Sequence, residues 1–97
     1  MKPLGHRPPT PFEAYLIETR RISWPVANNI AKNAKSLLRA APAEEVLAGD
    51  LDEIVERHPR HVRALEEHKK AWQVRGKLKG GGLALREYVA AGGEVPA

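Results

Sequence analysis

Asn28, Asn29, Lys32, Asn33, Lys35 and Arg39 fall within one short segment that holds no carboxylate. A side-chain amide can pair in bidentate fashion with an adenine edge, and Lys or Arg reads guanine or neutralises phosphate. Arg20 and Arg21 precede this segment, and a second basic set follows it: Arg60, Arg63, Lys70, Arg75, Lys77 and Lys79. Between the two, Glu44, Glu45, Asp50, Asp52, Glu53 and Glu56 occupy a stretch without a base. A formal net charge of only +4 therefore conceals two basic blocks separated by an acidic spacer. Basic blocks brought to one face form an electrostatic footprint for phosphate. Arg20, Arg21, Asn28, Asn29, Lys32, Lys35, Arg39, Arg60, Arg63, Lys70, Arg75, Lys77 and Lys79 are accordingly the candidate nucleic-acid-binding residues. The plain alternative is a solvated helix surface, on which each Asn weakens the helix by a few tenths of a kcal/mol relative to Ala.

Other chemistry finds less support. His58, His61 and His68 lack the i, i+4 pairing that chelates a metal from one helix, and Arg60 and Arg63 would repel a cation. The run Gly76-Lys77-Leu78-Lys79-Gly80-Gly81-Gly82 is basic and glycine-rich but has neither the spacing nor the hydroxyl of a Walker loop. It reads as a flexible loop, able at most to hug a nucleic-acid backbone. The acids Asp50, Asp52, Glu53 and Glu56 gather at a helix start, where they complement the macrodipole and stay ionised. With no cysteine and no serine in an elbow motif, the expectation is no catalytic site, no metal and no cofactor.

The elements that must position these residues are helical. Residues 1–9 form a basic, proline-rich arm with nothing to bury, expected to be mobile or extended; residues 10–97 make the single domain. Thr10-Pro11-Phe12-Glu13 is a capping-box start for a helix to about residue 19, burying Phe12, Leu16 and Tyr15. Ser23 caps the next helix, over 23–41, with Pro25 in its first turn and Pro42 as its stop. Ala27, Ile30, Ala31, Ala34, Leu37, Leu38 and Ala41 fall on its buried stripe, opposite the amide-rich basic one. A helical turn within 42–49 carries Val46 and Leu47, and Asp50 opens a short helix burying Leu51, Ile54 and Val55. Pro59 opens a long basic helix over 59–75 with Val62, Leu65 and Trp72 inward, broken by the glycine run. A last helix over 83–91 turns Leu85, Tyr88 and Val89 inward and ends at Gly92-Gly93. No period-2 alternation suggests a strand. The expected architecture is an all-α, compact bundle of five to six helices.

Phe12-Glu13-Ala14-Tyr15-Leu16, then Arg20-Arg21-Ile22-Ser23, then the helix over 27–38 resembles the amino-terminal core-binding domain of phage integrases and other tyrosine recombinases. Leu85-Arg86-Glu87-Tyr88-Val89, followed by Gly92, Gly93, Val95 and Pro96, resembles that domain's closing helix and exit. The resemblance implies a SAM-like helical bundle that grips DNA from one side. It would be a stand-alone or excised module without catalytic residues, the chemistry belonging to a separate domain. Two departures stand out: Trp24-Pro25-Val26 replaces the usual Thr after the Ser turn, and Gly80 to Gly82 fall where a continuous last helix is expected.

At 97 residues with one Phe, two Trp and two Tyr, the core is thin, and Phe12, Tyr15, Trp24, Trp72 and Tyr88 are its expected anchors. A deep, dry catalytic pocket does not suit such a core. No apolar run reaches the length of a signal or a membrane span, and zero Cys suits a reducing, cytoplasmic setting. No heptad seam specifies an oligomeric state. The leading expectation is a non-enzymatic module for double-stranded DNA, using the basic helices 23–41 and 59–75. The alternative is a small phage- or plasmid-type regulator that docks on a larger enzyme, with Trp24 or Trp72 as its exposed anchor.

Overall fold

The computed structural model describes residues 8–96, which form α1 (Pro11–Arg20), α2 (Trp24–Ala40), α3 (Ala43–Ala48), α4 (Leu51–Arg57), α5 (Pro59–Glu66) and α6 (Ala71–Ala90). The described residues contain helices and no strand, an all-α bundle. The arm expected over 1–9 lies, for residues 1–7, outside the described residues; Pro8 and Pro9 are exposed.

Local chemistry accounts for most of the boundaries. Thr10 Oγ1 accepts the Glu13 N–H at 3.2 Å while Glu13 Oε1 accepts the Thr10 N–H at 2.9 Å, so both halves of the capping box are made. Ser23 occupies the cap position of α2, but its hydroxyl makes no capping bond; its carbonyl takes the Ala27 N–H at 3.0 Å. Asp50 caps α4 by accepting the Glu53 N–H at 3.1 Å. Gly92 follows α6 at φ 102°, and the Gly92 and Gly93 N–H groups bond Val89 and Tyr88 carbonyls, the Schellman arrangement that glycine makes inexpensive.

The expected long basic helix over 59–75 is instead interrupted. α5 stops at Glu66 through a second Schellman pattern: the His68 N–H bonds the Leu65 carbonyl and the Lys69 N–H bonds the Ala64 carbonyl. The left-handed positions are taken by His68 (φ 54°) and Lys70 (φ 30°), not by glycine. α5 therefore turns His61 and Ala64 inward and leaves Val62 and Leu65 exposed, and Trp72, now at the start of α6, is exposed as well, against the expected inward stripe of Val62, Leu65 and Trp72.

The glycine run is not a loop either. α6 passes straight through Gly76, Gly80, Gly81 and Gly82. A Cβ on Gly81 would sit 2.7 Å from the Ala34 backbone nitrogen, and one on Gly82 would sit 2.8 Å from Leu51 Cδ1. Here glycine lets the backbones of α6 and α2 approach, and that packing outweighs the roughly 1 kcal/mol propensity penalty of each helical Gly.

α6 is the central element. Leu78, Ala84 and Leu85 join Phe12 and Leu16 of α1, Ala27, Ala31, Ala34 and Leu37 of α2, Val46 of α3 and Leu51, Ile54 and Val55 of α4 in one apolar cluster. Ile30, Leu38 and Ala41 of the α2 stripe are partly buried beside it. Tyr88 stacks on Phe12 with ring centroids 5.0 Å apart, and Tyr15 leans against it at 5.3 Å. Arg86 reaches the open end of α3, donating to the Val46 carbonyl at 2.7 Å and the Gly49 carbonyl at 2.8 Å.

Candidate nucleic-acid interface

The α2 face opposite Ala27, Ala31 and Ala34 carries Asn29 and Lys32 into solvent, as a 3.6-residue period requires. α5 comes alongside because its first turn is tied to α2 at two points. Arg60 Nη1 donates to Asn33 Oδ1 at 3.0 Å. His58, the residue capping α5, accepts the Arg60 N–H on Nδ1 at 3.1 Å, which leaves Nε2 to donate to the Ser36 carbonyl at 3.2 Å. Burial pushes the His58 pKa below its ordinary 6.5 and the nearby Arg60 charge adds to this, although the Ser36 carbonyl opposes it. The imidazole is therefore a neutral spacer that fixes where Arg60 stands.

The result is an open groove between α1, α2, α5 and α6. Arg20, Lys32, Arg60 and Lys77 line it with Asn29 and Asn33; Val26 and Ile30 supply its apolar part, and Gly80 and Gly81 complete it. No carboxylate is among these lining residues. Arg20 nevertheless donates to Glu87 Oε2 at 2.9 Å, and this hydrogen bond holds the Glu87 carboxyl below the usual carboxylate range. Lys32 and Lys77 have no ion pair among the described residues. The groove thus offers two ammonium groups without an ion pair beside two braced guanidiniums, Arg20 and Arg60.

The remaining candidates are distributed elsewhere. Lys35 and Arg39 line a separate depression with Leu38, Ala43, Val95 and Pro96. Arg75 pairs with Glu56 at 3.2 Å and with Asp52 at 3.7 Å, and Lys79 pairs with Asp52 at 2.9 Å, so both turn to the acidic α4. The Lys79 ammonium keeps Asp52 below its ordinary pKa. Asn28 donates its amide to the buried Glu13 at 2.8 Å and is occupied there. Arg21, Arg63 and Lys70 are exposed without lining the groove. The acidic spacer is therefore partly an internal counter-charge.

Sequence reasoning missed the positioning pair His58 and Ser36, for which the His-Pro step ahead of the basic helix was the one available signal. Among the described residues no group of three or more His, Cys, Asp or Glu could hold a metal ion; His61 Nδ1 instead lies 3.1 Å from the Glu56 carbonyl. No helix of the described residues is long and apolar enough to cross a membrane. No family model, no curated protein and no solved structure matches the chain.

Proposed function

We propose that this protein is a non-catalytic, cytoplasmic nucleic-acid-binding module whose ligand is double-stranded DNA. The observation that carries the reading is the acid-free lining of the α1–α2–α5–α6 groove, where Lys32 of the first basic block meets Arg60 and Lys77 of the second. Cations from separate elements facing one open groove suit a polyanion that passes through, whereas a small ligand would need enclosure. The sequence resemblance to a recombinase core-binding domain points to the same class of ligand.

Fluorescence anisotropy with a short labelled duplex at two salt concentrations tests this. Affinity should fall with salt by about 0.9 log per log for each phosphate neutralised. Lys32→Glu and Lys77→Glu should each weaken binding strongly and lower the salt slope by about 1. Arg75→Glu should matter less, because Arg75 already faces Asp52 and Glu56. No binding at micromolar protein in low salt would end the reading. A docking module is the second reading, favoured by the exposure of Leu65 (55 %) and Val62 (41 %) one turn apart on α5. Loss of a co-purifying partner on Leu65→Ser, with duplex affinity absent throughout, would select it.

A further inference from the structure

The two tryptophans have opposite environments: Trp24 is 6 % exposed in the core, whereas Trp72 is 71 % exposed in the first turn of α6. Trp72 borders a shallow hollow with Gln73, Gly76 and Lys77. Nothing lies within 4 Å of where a Gly76 Cβ would be, so the space beside the indole is open. Lys77 lines this hollow and the basic groove alike. Lys77 lies five positions along the helix from Trp72, an axial rise of about 7.5 Å, close to two nucleotide steps of about 3.4 Å. From His68 to Arg86 the chain holds no carboxylate, and Lys70 beside Trp72 has no ion pair among the described residues.

We propose that Trp72 is a stacking platform for an unpaired base, so that the nucleic acid bound here is a duplex with a single-stranded extension. The inference rests on the nucleic-acid reading of the groove and names the form of ligand it takes. Inside a duplex the faces of the bases are covered by their neighbours, and an indole beside the groove can stack only on an end pair or on a base that is unpaired. A surface aromatic joined to a run of cations is the arrangement that holds single strands: charge follows the backbone while the ring accepts any base. The rim of the hollow favours this occupant over a protein surface, since Gln73, Gly76 and Lys77 give the indole no apolar surround. The duplex phosphates occupy the side of Lys32 and Arg60, and the extension leaves past Lys77 onto Trp72.

The test compares a blunt duplex with the same duplex carrying a few unpaired thymidines at either end, using anisotropy and the intrinsic tryptophan emission of the intact protein. Trp24 is buried, so quenching reports on Trp72. The extended probe should bind more tightly than the blunt one and quench the emission more strongly. Trp72→Ala should weaken the extended probe by roughly tenfold and leave the blunt one within about twofold, and Trp72→Phe should restore most of the loss. Equal affinity for both probes without quenching, or an equal loss on both in Trp72→Ala, overturns the stacking role and leaves the groove reading intact. Absence of binding by either probe overturns both.

Discussion

His58 shows how one imidazole can carry both stability and geometry. Its Nδ1 is the acceptor that caps α5 at the Arg60 N–H, and a protonated ring has no acceptor nitrogen left. Because the folded state holds the pKa below 6.5, the unfolded chain takes up a proton that the native ring resists. The contribution is fully present above about pH 6.5 and is lost as pH falls through that value towards the lowered native one. Thermal melts of wild type between pH 7.5 and 5.5 should therefore show a decline in Tm. His58→Asn, which can cap without titrating, should show a smaller decline over the same range. Identical slopes in the two proteins would remove His58 as the cause. Arg60 would register this event, since the same cap and the Asn33 carbonyl oxygen place its guanidinium at the groove.

Helix starts were the most legible elements, because Thr10 with Glu13, Pro25 after Ser23 and Asp50 before Leu51 are local signals that act within one turn. The junction between α5 and α6 was not, because the left-handed residues there are His68 and Lys70, which carry none of the sequence signature of glycine. The converse error has the same origin: Gly81 and Gly82 resemble breakers locally and act as contact surfaces in three dimensions. The cations of the site could be read, but not which of them the acids of α4 would claim, since that depends on how α4 lies against α6. Substitution separates the two roles of glycine. Gly81→Ala should destabilise by about 1–3 kcal/mol through overpacking against Ala34. Gly76→Ala, with open space around it, should stabilise by up to about 1 kcal/mol. Chemical denaturation of both variants reads the signs, and a stabilising Gly81→Ala would refute the close-approach account.

At the scale of the whole molecule, charge is divided between two tasks. The α4 carboxylates neutralise Arg75 and Lys79 on one side of α6, while Lys77 on the same helix is left to the groove. α6 itself packs against α1, α2, α3, α4 and α5. No set of the other helices can detach as a unit without exposing it. The amide hydrogens of Leu78, Gly82 and Leu85 should thus exchange with solvent deuterium only when the entire chain opens, whereas those of the short α3 should exchange through smaller fluctuations. Native-state exchange in low denaturant would show the α6 amides converging on the global unfolding free energy. If they exchanged earlier than those of α2, the central helix would be a late and loosely held addition. On this packing the central helix is expected to be the last part of the molecule to let go, and the groove walls that α1, α2 and α5 contribute would open before it does.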